Sequence, residues 1–233
     1  MINIEKHNHI NVLRDDLLQG GTKSILLQSL IDLKQNEYVY ASPVYGGFQI
    51  ALSIYCKKHN IKCTIFCAKR KIKHRNTIEC INNDANIIEI PCGYLSVIEK
   101  RAREYCKTND AKKIKFGANT MESKILIADR MKKVIEVLGK EPDEIWCAVG
   151  SGTLLEGILL GTKNAEINGV IVGKEYKNNH PRVLRLIKYP KSFDKESKFK
   201  APFPSMENYD LKAFEYCYKY SSLVKDTLFW NVL

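Results

Sequence analysis

The chain is organised around the sequence RDDLLQGGTK at residues 14–23, which sets one lysine behind a pair of glycines. Near a helix N-terminus the helix dipole disfavours an ammonium group, which favours the neutral amine that attacks carbonyl groups. Lys23 is therefore the candidate for covalent chemistry, and the alternative is a turn followed by an ordinary exposed lysine. A helix after Lys23 is predicted by the apolar positions Ile25, Leu26, Leu27, Leu30, Ile31 and Leu33, most of which share one helical face.

The composition is that of a globular chain with a sizeable core. Hydrophobic residues make up 45% of the 233 residues, and no apolar run approaches the length needed to cross a bilayer. The first ten residues are polar and lack an apolar signal region, so we expect a cytoplasmic protein without a membrane partner. The eight cysteines are scattered without a Cys-x-x-Cys pair, which favours reduced core thiols over disulfides or a zinc site.

The net charge of +11 would attract anions of any kind. The densest basic run is KRKIKHR at residues 69–75, which could contact nucleic acid. No helix-turn-helix, zinc-finger or RNA-binding aromatic signature accompanies it. We therefore interpret the run as a solvated face, and a nucleotide- or nucleic-acid-associated role is kept as an alternative.

Strand-like and helix-like apolar segments alternate along most of the chain. The strand-like segments are YVYAS (38–42), KCTIFC (62–67), NIIEI (86–90), KIKFG (113–117), EIWCAVG (144–150), VIVGK (170–174) and TLFWNVL (227–233). The helix-like segments are FQIALSIYCKKHN (48–60), KHRNTIECINND (73–84), LSVIEKRAREYCKTND (95–110) and ESKILIADRMKKVIEVLG (122–139). Such alternation predicts parallel sheets with helices on their faces, whereas residues 189–200 indicate a loop.

Two glycine-containing loops, one around Gly46 and Gly47 and one at residues 150–154, follow strand-like segments. The ends of such strands are where open α/β sheets bind ligands. The second of them, GSGTL at residues 150–154, precedes an apolar helix, so its backbone N–H groups and the helix dipole converge on an anion. A nucleotide site is a rival interpretation, but the Walker lysine is absent and Gly157 comes too late for a dinucleotide motif. A structural tight turn is the other alternative. The predicted phosphate site consists of Gly150, Ser151, Gly152, Thr153 and Leu154.

The sequence RDDLLQGGTK resembles the Arg-Asp-Asp-Leu…Gly-Gly-Asn-Lys segment of pyridoxal 5'-phosphate (PLP) enzymes of fold type II. The similarity is to the branch that contains aminocyclopropane-carboxylate deaminase and D-cysteine desulfhydrase. It implies that Lys23 forms the Schiff base with PLP. Thr22 stands where the family has Asn.

Two further motifs follow in the family's order. The sequence around Gly46, Gly47 and Gln49 resembles the family's Gly-Gly-x-Gln-Ser-Asn loop, which implies that these residues bind the substrate carboxylate. Ile50-Ala51 replaces the Ser-Asn pair, which puts the contact with the cofactor ring in question. Residues 150–154 resemble the family's loop for the PLP phosphate, shortened by one glycine.

The C-terminal sequence NYDLKAF at residues 208–214 resembles the family's Tyr-Glu-Gly-Lys-Ala/Ser segment. This implies that Tyr209 lies against the cofactor and that Asp210 keeps the pyridine nitrogen protonated, which makes the ring a better electron acceptor. Read without the family, Tyr209 is a half-buried aromatic and Asp210 a helix N-cap. The chain is shorter than the deaminases and ends where the family continues with Thr-Gly-Gly. It resembles compact versions from phages and large DNA viruses, for which the compartment would be the host cytoplasm.

These observations predict an α/β fold with two lobes of mainly parallel sheet flanked by helices, of PLP fold type II. We expect a smaller lobe at residues 42–110, a larger one at 1–41 and 111–233, and PLP between them. The expected function is lyase or deaminase chemistry on a small amino acid, with Lys23, Tyr209 and Asp210 as catalytic residues. The alternative is a catalytically reduced pseudoenzyme or phospholigand-binding protein. A homodimer is compatible with this reading.

Overall fold

The computed structural model describes residues 1–91 and 93–233, so Cys92, one of the eight predicted thiols, lies outside the described residues. The strands are β1 (Ile4–His7), β2 (Ile10–Arg14), β3 (Glu37–Ala41), β4 (Lys62–Ala68), β5 (Asn86–Ile90), β6 (Lys112–Lys113), β7 (Glu144–Val149), β8 (Glu166–Ile171), β9 (Val183–Lys188) and β10 (Thr227–Asn231). The helices are α1 (Thr22–Leu30), α2 (Phe48–Lys58), α3 (Arg75–Asn82), α4 (Leu95–Thr108), α5 (Met121–Leu138), α6 (Thr153–Gly161) and α7 (Asp210–Tyr220). The α/β fold with mainly parallel sheets is confirmed.

The larger compact unit comprises Met1–Thr22 and Asn119–Leu233. Its six-stranded sheet has the order β1-β2-β10-β7-β8-β9, and every pairing is parallel except that of β1 with β2. Strands β7 and β10 are buried along their whole length, as expected for central strands covered on both faces. Their carboxyl ends lead into the loop before α6 and into the C-terminus.

The smaller unit is Lys23–Ala118. Its four-stranded sheet has the order β5-β4-β3-β6 and is parallel throughout. Helix α4 packs against β3 and β4, and α2 also packs against β4. The boundary differs from the predicted start at residue 42, because β3 pairs with β4 and β6 and so belongs to the smaller sheet.

Strands β1, β2 and β9 and the segment at residues 113–117 depart from the sequence-based expectations. Strands β1 and β9 were not predicted, since their side chains are partly exposed and carry no regular apolar pattern. Strand β2 was also not predicted, because polar residues flank its short apolar segment. The segment predicted as a strand at 113–117 is mostly not one: β6 ends at Lys113 and a 3-10 turn follows, in which Gly117 has a φ of 65°.

The cysteines within residues 1–91 and 93–233 are all reduced thiols, and most are buried. Burial raises the pKa of Cys80 to about 12 and that of Cys67 to about 11. These thiols therefore behave as core residues rather than as nucleophiles. In the same part of the chain, no cluster of His, Cys, Asp and Glu could hold a metal ion, and no helix is long and apolar enough to span a bilayer.

Candidate functional site

A buried polar cluster lies immediately before Lys23 and is centred on Asp15, which is fully buried. Thr22 Oγ1 donates a hydrogen bond to Asp15 Oδ2 at 2.8 Å. The indole Nε1 of Trp230, on β10, donates to Asp15 Oδ2 at 3.1 Å and to Thr22 Oγ1 at 3.0 Å. Arg130, on α5, donates from Nε to both carboxylate oxygens at 2.8 and 3.0 Å, and a second guanidinium nitrogen contacts Oδ1. The cluster thus fixes the first residue of α1.

The double glycine explains how the chain turns into α1. Gly20 and Gly21 have φ values of 88° and 67°, in the left-handed region that favours glycine. A Cβ on Gly21 would also overlap the carbonyl oxygen of Val232, which accepts the N–H of Thr22 at 3.1 Å. Lys23 is the second residue of α1 and is half-buried. The glycine pair and the cluster thus fix the turn that precedes Lys23.

The loop at residues 150–154, called here the phosphate loop, connects β7 to α6. Ser151 Oγ lies 2.9 Å from Thr153 Oγ1, and Asn119 Nδ2 donates to the Ser151 carbonyl at 3.3 Å. Gly152 has a φ of 88° and immediately precedes the helix. The first N–H groups of α6 have no intrahelical acceptors, so the loop combines these donors, two hydroxyls and the positive end of a nine-residue helix. This donor set suits a phosphate group.

Tyr176 forms a wall beside the phosphate loop that the sequence analysis missed. A Cβ on Gly152 would overlap the Tyr176 ring, so glycine is required there for space as well as for its φ. The Tyr176 hydroxyl donates to Glu156 Oε1 at 2.9 Å and accepts from Asn178 Nδ2 at 3.0 Å, and Lys124 pairs with Glu156. Burial raises the pKa of Tyr176 to about 12. The available signal was its position shortly after β8, at the carboxyl edge of the sheet.

Tyr209 and the phosphate loop, which were predicted as separate motifs, lie together in the larger unit. A Cβ on Gly150 would lie 3.0 Å from the Tyr209 hydroxyl. The Tyr209 ring also meets the Phe193 ring edge to face, with the ring centroids 6.4 Å apart. A planar ligand bound at this loop would therefore have an aromatic neighbour. Tyr209 is half-buried and precedes the first residue of α7.

Asp210 is the first residue of α7 and is fully buried. Its Oδ2 accepts the backbone N–H of Leu233 at 3.1 Å, which ties the end of the chain to the start of the helix. Burial raises the pKa of the Cys147 thiol on β7, and the nearby Asp210 carboxylate makes a smaller contribution in the same direction. The helix N-cap position belongs to Tyr209, so the alternative of Asp210 as an N-cap is wrong.

In the smaller unit, Gln49 is fully buried on the first turn of α2. Its Nε2 donates to the carbonyls of Val44 and Gly46 at 2.9 Å and lies 3.2 Å from that of Pro43. Both amide hydrogens are thus occupied by the loop before α2, and the alternative of an exposed helix-start residue is wrong. Contact with a substrate carboxylate stays a prediction, since in this structure the amide nitrogen holds the Gly46-Gly47 turn instead. Among the described residues, no donor reaches the buried Oε1 of Gln49.

No protein-family model matches the chain. The chain is similar in structure to an ACC deaminase homologue, at 15% sequence identity and a TM-score of 0.82, over 96% of this chain and 83% of that one. It is also similar to O-acetyl serine sulfhydrylase isoform 3 from Entamoeba histolytica, at 12% identity and a TM-score of 0.72, over 100% and 84% of the two chains. A hydrogen sulfide-producing enzyme from Fusobacterium nucleatum matches at 15% identity and a TM-score of 0.59, over 73% and 62%. At these identities the likeness establishes the fold, which is the PLP fold type II architecture that the sequence motifs implied.

Proposed function

We propose that the protein is a PLP-dependent enzyme that acts on a small amino acid in a lyase- or deaminase-type reaction. The observation that carries the proposal is the phosphate loop, where two hydroxyls, a helix start and Tyr209 come together within a fold shared with amino-acid enzymes. The sequence resemblance around Lys23 supports the same chemistry. The substrate class is taken from that resemblance and from the names of the structural neighbours.

The residues of the larger unit fit this cofactor. Gly150 and Gly152 carry no side chains, and Cβ atoms at these positions would meet the rings of Tyr209 and Tyr176. Ser151 and Thr153 would donate to the phosphate together with the N–H groups of Thr153 and Leu154 at the start of α6. No carboxylate belongs to residues 150–154. The loop therefore has the polarity that a phosphate needs.

The chain's own residues would then divide the work of catalysis. Lys23 would hold the cofactor covalently and carry a proton to and from the substrate Cα on its Nζ. Tyr209 would pack against the ring or exchange a proton through its hydroxyl. Asp210 would hold a proton on the ring nitrogen, which suits a fully buried carboxylate on a rigid helix start. When bound, PLP supplies an electron sink for the carbanion that forms when a bond to Cα breaks.

The covalent role of Lys23 is tested by reductive trapping. Protein incubated with PLP is treated with borohydride and digested, and mass spectrometry locates the cofactor. We expect the added mass on the peptide that carries Lys23, and no trapping at this position in Lys23→Ala. Lys34→Ala, which removes an exposed lysine shortly after α1, is the matched control and should trap normally. Trapping spread over surface lysines in wild type and Lys23→Ala alike would refute the proposal.

A cofactor-binding protein without turnover is the second candidate, favoured by Ile50-Ala51 and by the inward-facing amide of Gln49. The two candidates differ in whether the protein exchanges the α-proton of an amino acid for deuterium, which NMR measures. An active enzyme should exchange it, and Asp210→Asn should slow the exchange by about a hundredfold or more while PLP stays bound. Trapping at Lys23 without any exchange would favour the second candidate.

A further inference from the structure

The basic run of the smaller unit contains an oriented cation. Arg70 lies between β4 and α3, and its guanidinium carbon is 5.7 Å from the centre of the Tyr45 ring. Tyr45 in turn meets the His74 ring edge to face at 4.7 Å. A guanidinium on an aromatic face is restricted in orientation, so less entropy is lost when it binds an anion. Arg70 is therefore preorganised in a way that a flexible surface lysine is not.

Arg70 lies among unpaired cations in the described part of the chain. Among the described residues, no carboxylate pairs with Arg70, Lys69 or Lys71, whereas Lys73 forms an ion pair with Glu89 at 2.9 Å. Burial and Glu89 raise the pKa of Cys67, and the positive charges of Lys73 and Arg70 lower it. The region is left with a net positive potential that would attract an anion.

The cation lies where a ligand is expected. Strands β3 and β4 are parallel neighbours, and their carboxyl ends lead into residues 42–47 and 69–74. Tyr45 in the first loop contacts Arg70 and His74 in the second, so the two loops are in contact. Residues 42–49 are also the segment whose sequence resembles a carboxylate-binding loop. In open α/β sheets this edge is the usual place for a ligand.

We propose that Arg70 recognises an anionic group on the side chain of the substrate, so that the preferred amino acid carries a phosphate or a second carboxylate. This proposal rests on the proposed function, since it names the substrate class of the same site. A planar guanidinium matches both groups, because each presents two oxygens to its parallel N–H donors.

Single-stranded nucleic acid fits the patch less well. Bases bind such surfaces by stacking on open aromatic faces. Here Arg70 covers one face of Tyr45, His74 meets the same ring, and Tyr45 is half-buried. Ile72, in the middle of the basic run, is 86% exposed and adds no charge. The structure thus favours a small anion over a polymer.

The test compares L-serine, L-aspartate and O-phospho-L-serine by isothermal titration of the full-length protein loaded with PLP. We expect at least one of the two anionic amino acids to bind about tenfold or more tightly than serine. Arg70→Met should remove this preference and leave serine binding unchanged, and Arg70→Lys should restore it only in part, because lysine lacks the planar fork. Lys58→Met, at the exposed end of α2, is the matched control and should keep the preference. Tighter binding of O-phospho-L-serine alone would show that the site takes a phosphate, and tighter binding of both anionic amino acids would show that it takes a phosphate or a carboxylate.

Equal affinities for the three amino acids, or a preference that survives in Arg70→Met, would overturn the proposal. So would a labelled single-stranded oligonucleotide that binds through Arg70 in the absence of any amino-acid preference. Borohydride trapping in the same samples reports the proposed function separately. Trapping at Lys23 with no anionic preference refutes the Arg70 proposal alone, whereas failure of trapping refutes the proposed function. In that case titration with inorganic phosphate must still show an Arg70-dependent site for the Arg70 proposal to stand.

Discussion

Replacing Asp15 by alanine should destabilise the larger unit strongly. The substitution removes the only carboxylate that contacts Arg130 in the described part of the chain, and the Arg130 side chain is only 11% exposed. Removing one partner of a buried ion pair typically costs about 3–5 kcal/mol, because the other charge stays buried without compensation. Since the Arg130 guanidinium has some access to water, we expect the lower end, about 3 kcal/mol.

The neutral donors add to this cost. The Trp230 indole N–H keeps Thr22 Oγ1 as an acceptor, but the Thr22 hydroxyl loses its acceptor. A buried donor without a partner costs about 1–3 kcal/mol. The whole effect of Asp15→Ala should therefore reach about 4–6 kcal/mol, a large fraction of the stability of a typical domain, which is about 5–15 kcal/mol.

Urea denaturation followed by tryptophan fluorescence measures this change. Both tryptophans of the chain, Trp146 on β7 and Trp230 on β10, lie in the larger unit, so the signal reports that unit alone. Asp129→Ala is the matched control. Its carboxylate pairs with Lys132 on the surface and is 51% exposed, so its loss should cost less than about 1 kcal/mol.

A double-mutant cycle with Arg130→Met separates the ion pair from the rest of the cluster. Arg130→Met leaves the Asp15 carboxylate buried, so it should also be strongly destabilising, whereas the double variant should be much less unstable than the sum of the two. A cost of less than about 1 kcal/mol for Asp15→Ala, or additive single effects, would refute the reasoning.

Two further predictions concern helices of the same unit. The Lys212 Nζ is buried and donates to the Ser192 carbonyl at 2.9 Å, and burial lowers the pKa of Lys212 below the ordinary 10.5. Because the unfolded chain then holds the proton more tightly, the free energy of unfolding of wild type, relative to Lys212→Met, should rise with pH from the folded pKa up to 10.5. Urea titrations at several pH values measure this difference, and a difference that does not change with pH would contradict the prediction. A Cβ on Gly157 would lie 2.5 Å from Ile127 Cβ, whereas Gly139 has a φ of 77° and open space around it. Thermal unfolding should therefore show the largest loss of stability for Gly157→Ala, a smaller loss for Gly139→Ala and the smallest for Gly139→Asn. Any other order would contradict the packing argument.

The local pattern of the sequence was sufficient for most of the fold. Fully buried parallel strands such as β4 and β7 are continuous apolar runs, and Gly139 marks the end of α5 with a left-handed φ. The edge strands β1 and β9 escaped prediction because their side chains are partly exposed and need no regular apolar alternation. The loop between β7 and α6 could be predicted because a strand, small residues and a helix follow one another directly along the chain, and its binding of phosphate stays a prediction.

The partners of the site residues were decided only by the tertiary structure. Asp15 and Arg130 are far apart in sequence, as are Thr22 and Trp230, and nothing in either segment indicates its partner. The contact of the Tyr176 ring with Gly152 was likewise not indicated by either segment. Sequence periodicity reports which face of an element is buried, because burial depends on residue type and spacing. Which side chains then meet depends on how separate strands and helices stack, and sequence periodicity does not report that.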